Sequence, residues 1–383
     1  MAKENRKCKK PGRVYVRGIT RFAGRCRVCG SAFFCCFYHV WVLRNADAVP
    51  VSAEKHHGES PLLSVRIAAM KLILAPMEGL ADFWVRQALT DVGHYDWCVS
   101  EFVRVSELLL PPKVFYRWCP ELKHGSRTRA GTPVHLQLLG SDPACMAENA
   151  ARAVELGAPA IDLNFGCPAK TVNRHRGGAV LLDEPELVHA VTAAVRRAVP
   201  PSITVSVKMR LGNEEDALAL DNARGVEAAG AAWLTVHGRT KRQGYRPPAY
   251  WDRIGHIREA VSLPVIANGE IWTPEDARRC QQESGCADLM IGRGAVADPW
   301  LVNALRDGRA TRWEDIPPVL SRFLADVIGT GTDAQVAGRV KQWLSYLRRQ
   351  WPQAGVLLEQ IKRESDPQAM APFLVAPQQE VSA

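Results

Sequence analysis

The sequence lacks an apolar run long enough to cross a bilayer: the stretch from Ala32 to Leu43 falls well short of the roughly 20 residues a spanning helix needs. No membrane attachment is therefore expected. It lacks internal repeats and low-complexity tracts, which leaves an ordinary globular chain. It also lacks a second C-x-x-C pair to answer Cys26 and Cys29, so Cys26, Cys29, Cys35, Cys36 and His39 make a poor zinc site. Beyond residue 69 it lacks net charge. Residues 1–69 hold 13 Lys/Arg against 4 Asp/Glu and so carry the whole +9, while residues 70–383 hold 36 of each sign. Total charge is thus no argument for a nucleic-acid partner, and such a claim must rest on local patches.

Hydrophobic residues make up 47% of the chain and charged residues 23%, which excludes a disordered protein. Five of the eleven cysteines precede residue 70. A chain with so large a core needs no disulfide staples, so a reducing cytoplasm is expected. Residues 1–69 begin basic, then carry the apolar run and Ala46-Asp47-Ala48, as a signal peptide would. The basic part is too long for that, and a strand pattern starts directly after Met70. The simpler expectation is a mis-called extension ahead of a working start at Met70.

From Met70 onward, short apolar runs alternate with longer helical stretches. The runs are 72–77, 97–100, 134–139, 160–165, 203–209, 233–237, 264–267 and 289–292. Helices are expected over 143–156, 185–199, 217–229 and 274–284, several announced by a capping residue before proline, as at Asp142 and Thr273. Eight βα units over about 240 residues match a (β/α)8 TIM barrel, here residues 70–310. Residues 311–383 read as a small helical domain with a loose tail.

Barrels of this kind work at the C-terminal ends of their strands. Those ends are polar at seven of eight positions, including Glu78, Gln137, Asn164, Lys208 and Arg210, His237, Asn268 to Glu270, and Arg293. Unpaired buried polar groups are costly, so the pattern points to a ligand. Gly269, Gly292 and Gly294 close the last two strands, where barrels commonly hold a phosphate. Gly292 to Ala297 also fits a G-x-G-x-x-A fingerprint, but no βαβ unit follows, so it reads as the barrel's phosphate corner.

These residues carry a resemblance. APMEG, LQLLG, DLNFGCP, VKMRLG, VHGRT, IANGE and MIGRG, in this order, resemble the tRNA-dihydrouridine synthase family. VKQWLSYLRRQ, from Val340 to Gln350, is similar to its C-type bacterial subgroup, which modifies uridine 16. The likeness spans Met70 to about residue 363 and omits the first 69 residues. It implies an FMN-binding barrel, a C-terminal helical domain, NADPH (or NADH) as reductant and tRNA as partner; a monomer is expected. Carried onto matching positions, Pro76, Met77, Glu78, Gln137, Lys208 and His237 would lie against the flavin. Asn268, Gly269, Glu270, Gly292 and Arg293 would hold its ribityl chain and phosphate. Cys167 would protonate C5 of the uracil after hydride reaches C6, since a thiol is mostly protonated at neutral pH. Arg104, Asn164, Arg339, Lys341 and Arg348 would bind tRNA. A flavin barrel acting on a free pyrimidine or enone, and a non-catalytic tRNA-binding protein, are the alternatives.

Between Val336 and Trp351 there are four cations and no acid. At about 100° per residue, Val336, Val340, Trp343, Leu344, Leu347 and Trp351 share one face, expected to pack on the rest of the protein.

Overall fold

The computed structural model describes residues 70–375. The signal-peptide, zinc and mis-called-start readings of residues 1–69, and the tail beyond 375, lie outside the described residues.

Nine parallel strands follow one another: β1 (Leu72–Leu74), β2 (Trp97–Val99), β3 (Val103–Arg104), β4 (Val134–Leu139), β5 (Ala160–Phe165), β6 (Thr204–Arg210), β7 (Leu234–His237), β8 (Val265–Asn268) and β9 (Leu289–Ile291). Pairing runs β2-β1-β9-β8-β7-β6-β5-β4, and β2 returns to β4 with Cys98 beside Val134, which closes an eight-stranded barrel. The eight closing strands coincide with the eight runs expected. β3 is an addition on β4, with Val103 beside Leu138, and two residues are too few to show any periodicity.

Helix boundaries follow local chemistry. Asp142 accepts the Cys145 N–H at the start of Pro143–Glu155. Thr273 and Asp276 form a capping box ahead of Pro274–Ser284, which ends in left-handed Gly285. No helix among the described residues is long and apolar enough to cross a membrane.

The strand period of two divides the core. One set of side chains, among them Leu72, Leu74, Leu136, Leu138, Ile161, Leu163, Val205 and Val207, packs outward against the helices. The other set fills the barrel. Its dry layer comprises Ile73, Trp97, Val99, Ile266 and Met290 with Trp233, and the His135 ring stacks 5.3 Å from Trp97. Burial holds His135 far below its ordinary value, at about 4, so it sits there as neutral imidazole.

The C-terminal helices Ile316–Val327, Asp333–Leu347, Pro352–Ile361 and Pro367–Val375 pack onto this body. Val336, Val340, Trp343, Leu344 and Leu347 are buried, as their shared face requires, and Trp351 is half-buried. Trp343 Nε1 donates to the Val296 carbonyl at 2.9 Å, and Trp351 Nε1 to that of Ala297 at 3.2 Å. The helix is thereby tied to the segment following β9.

Between the helix Phe83–Val92 and the turn Pro120–His124 lies a fully buried ion pair. Arg86 donates through Nε and Nη2 to Glu121 at 2.8 and 2.9 Å, and through Nη1 to the Ala81 carbonyl at 2.9 Å. Removing one partner strands the other charge in the core. Arg86→Leu is therefore expected to cost about 3–5 kcal/mol in denaturant unfolding, and adding Glu121→Leu should recover much of the loss. A double variant as unstable as the sum of the single ones would contradict this.

Candidate active site

The C-terminal ends of the strands surround a cavity of about 420 Å³. Each lining residue arrives by the same logic: a strand side chain pointing inward, or a loop residue folded over the rim. Pro76, Met77 and Glu78 follow β1, Gln137 comes from β4, Asn164 from β5 and Cys167 from the loop after it. Lys208, His237 and Asn268 come from β6, β7 and β8, with Gly269, Glu270, Gly292 and Arg293 completing the wall. All the residues expected at the cofactor, with Cys167 and Asn164, therefore meet in one place. Arg104, Arg339, Lys341 and Arg348 stand outside the cavity.

Its floor is a hydrogen-bonded chain. Asp162 accepts from Ser206 at 2.6 Å and from Gln137 Nε2 at 2.7 Å. The Gln137 carbonyl accepts from Asn164 Nδ2 at 2.7 Å. Asn164 Oδ1 in turn receives the backbone N–H groups of Gly166 and Cys167, at 2.8 and 2.9 Å. Burial pushes the Asp162 carboxyl up, while its two donors and the Lys208 charge act the other way.

One wall is cationic. Lys208 Nζ donates to Asn268 Oδ1 at 2.9 Å, and burial with the nearby Arg210 charge lowers the ammonium to about 8. His237 is pushed well below its ordinary value by burial and by Arg210, Lys208, Arg239 and Arg293, and its Nδ1 is buried without a partner. Gly269, at φ +116°, passes so close to His237 that an added Cβ would sit 3.0 Å from the ring. Glu270 follows with φ +57°, a conformation L-residues rarely take. It is held by an ion pair with Arg239 and by the Trp272 indole N–H at 2.9 Å. Burial raises the Glu270 carboxyl, but Arg239, Trp272 and the Arg293 charge more than offset it and leave it lowered.

Cys167 is 7% exposed. Burial pushes its thiol up to about 11, with the Glu78 charge adding to the effect, so it is protonated at neutral pH. Its Sγ lies 3.8 Å from Glu78 Oε2.

Several lining residues escaped the reading of the sequence. Glu101 accepts the Gly79 N–H at 2.7 Å, and Tyr346 arrives from the C-terminal helix. The Arg210 and Arg293 guanidiniums lie 5.1 and 4.7 Å from the Tyr245 ring, and those of Arg293 and Arg349 lie 5.0 and 3.8 Å from the Trp272 ring. They sit in loops or on a distant helix, where no periodicity marks them. The only signal was the aromatic and basic content of the loop Lys241–Arg246.

Outside the cavity, Arg104 and Arg348 are exposed. Arg339 pairs with Asp82, and Lys341 Nζ donates to the Glu364 carbonyl.

Comparison with known proteins places the chain among relatives. Residues 73–330 match the family model described as Dihydrouridine synthase. The tRNA-dihydrouridine(16) synthase of Pseudomonas syringae pv. tomato is 54% identical over 303 residues, covering 78% of this chain and 96% of the relative. That of Cupriavidus necator is 53% identical over 301 residues, covering 77% and 94%. That of Haemophilus influenzae is 48% identical over 295 residues, covering 76% and 95%.

The lowered Lys208 has a consequence for stability. Its charged form is disfavoured in the fold relative to the unfolded chain, so the penalty is full below about pH 8 and fades as pH rises towards 10.5. The flavin-free protein should therefore gain about 2 kcal/mol relative to Lys208→Met between pH 7 and 10. Parallel pH profiles for the two proteins in denaturant unfolding would refute it.

Proposed function

The chain belongs to the dihydrouridine synthase family, and we propose that it reduces uridine 16 of the tRNA D-loop, with Cys167 as the acid. Membership makes it a flavin-dependent oxidoreductase that uses FMN and NAD(P)H and acts on uridine in tRNA. The position within tRNA follows the relatives named above, which are tRNA-dihydrouridine(16) synthases. In this reading, residues 70–310 form the catalytic domain and 311–383 the tRNA-binding one, in a cytoplasmic monomer. Sedimentation of the purified protein tests the last point.

The residues present fit FMN. The cavity is of cofactor size. The buried His237 Nδ1 has no partner among the described residues, and the glycine at 269 lets the backbone pack against the Cδ2–Nε2 edge of the imidazole. Pro76, Met77, Glu78, Gln137, Lys208 and His237 would lie about the ring system, and Asn268, Gly269, Glu270, Gly292 and Arg293 about the ribityl chain and phosphate. When bound and reduced, FMN supplies the hydride that reaches C6 of the uracil.

The chain's own residues do the rest. Lys208, a half-buried cation on the cavity wall, stabilises negative charge developing beside it. Asn164, fixed by Gln137 at one end, orients the Cys167 backbone at the other. Hydride addition at C6 leaves carbanion character at C5, and Cys167 breaks its S–H bond to form C5–H. A thiol near 11 is still an acid far stronger than the protonated carbon it creates.

The single observation that carries the assignment is a largely buried thiol on the wall of the cavity that Lys208, Arg210 and Arg293 also line. Cys167→Ala is expected to keep its flavin and its reduction by NADPH while losing turnover on tRNA by about 10²-fold or more. Normal steady-state dihydrouridine formation by this variant would overturn the assignment.

The same reading has Arg104, Arg339, Lys341 and Arg348 bind the tRNA backbone while Asn164 meets the flipped base. Arg348 is free to do so, whereas Arg104, whose Nη2 donates to the Thr171 carbonyl at 3.4 Å, must exchange that partner, and Arg339 and Lys341 the partners named above. Arg348→Ala should thus reduce the slope of log K against log salt by about one, and Arg339→Ala by less. Unchanged slopes for Arg104→Ala and Arg348→Ala would place the RNA elsewhere.

A further inference from the structure

We infer that Glu78 is the route by which Cys167 recovers its proton between turnovers, a proposal that rests on Cys167 being the acid. Each turnover leaves a thiolate, and a site that excludes water from sulfur must still return a proton to it. The geometry supplies a path. Glu78 stands in the loop after β1 and is exposed, whereas Cys167 is almost fully covered. Its Oε2, 3.8 Å from Sγ, is the one side-chain partner of the thiol among the described residues.

The other charges facing the pair are Arg210, on the side of Cys167, and Glu101, on the side of Glu78. Arg210 cannot return a proton at neutral pH, because a guanidinium does not release one. Glu101 has its carboxylate turned to the Gly79 N–H. Glu78 therefore joins solvent to sulfur.

The proton balance is simple. When S–H breaks and C5–H forms, a thiolate is left beside a carboxylate. A negative charge at that separation raises the proton affinity of the thiolate, and the site takes up one proton from solvent. The exposed carboxylate receives it and passes it to sulfur, which restores the thiol and the Glu78 carboxylate. No electron changes hands in this step. Burial, with the Glu78 charge adding to it, keeps the resting thiol protonated.

Two measurements on the full-length flavin-loaded protein test the proposal. In the first, alkylation of Cys167 by iodoacetamide is followed against pH by mass spectrometry of its peptide. Glu78→Gln should move the profile to lower pH, because one negative charge next to the thiolate is gone. In the second, tRNA turnover by Glu78→Gln should show a burst of about one dihydrouridine per bound flavin. A steady state slower than the parent's by about tenfold should follow. In Glu78→Ala, added acetate or formate should raise the steady rate in proportion to the buffer acid, which a merely structural side chain would not do. An unshifted alkylation profile, or the absence of both burst and buffer response, overturns the relay. An active Cys167→Ala variant would instead overturn the acid assignment on which it rests, so the two failures are distinguishable.

Discussion

The carboxylate of Asp162 is the point on which the site depends. It lies inside the barrel, 1% exposed, where an unpaired charge would not be tolerated. Ser206 from the neighbouring strand β6 and Gln137 from β4 satisfy it, and in doing so Gln137 is locked with its carbonyl towards Asn164. Asn164 then holds the backbone N–H of Cys167. The chain of bonds crosses three adjacent strands and ends at the sulfur-bearing residue. A loop residue acquires the rigidity of the sheet beneath it. Each link is buried and fully paired, the condition under which a polar network specifies one arrangement and does not weaken the core.

Along the barrel axis the interior changes from dry to polar. Trp97, Trp233 and the neutral His135 plug one end, and Asp162 and Ser206 mark the transition. The cavity opens above them. The change matters for charge, because Lys208 and His237 are buried deeply enough to lose part of their proton affinity while still facing the open end. A wall that combines the Lys208, Arg210 and Arg293 cations with a neutral His237 gains most from a ligand that brings negative charge or hydrogen-bond acceptors. The left-handed Glu270, clasped by Arg239 and Trp272, belongs to this wall, and backbone strain held by surrounding bonds is a common mark of binding sites.

The C-terminal helix is part of the site. Gln342 Nε2 donates to the Gly79 carbonyl at 3.0 Å, Gln350 Nε2 to the Trp272 carbonyl at 3.1 Å, and Tyr346 lies between them on the cavity rim. Arg339 reaches Asp82, two residues beyond Leu80 on the same rim. The helix Asp333–Leu347 and the turn that follows it thus grip the loops after β1 and β8.

Much of this was legible in the residues themselves. Strand periodicity and capping signals such as Asp142 and Thr273 are local, so eight barrel strands and the helices between them follow from short-range physics. The polar strand ends were legible as well, because a strand's direction decides which of its ends faces the ligand. The apolar face from Val336 to Leu347 was readable for the same reason, since helix period alone places those residues together. Tertiary structure alone decided what depends on approach between distant segments. The two-residue β3 exists only through β4. Arg339 and Lys341 look like free cations in the sequence and are engaged by Asp82 and Glu364, far away in the chain. Glu101, Tyr245, Trp272 and Tyr346 join the cavity from loops and a remote helix. The nearness of Glu78 to Cys167, 89 residues apart, follows from barrel closure, which brings the ends of β1 and β5 to one rim. Local patterns carry period and direction but no distance between segments, and it is distance that sets electrostatics.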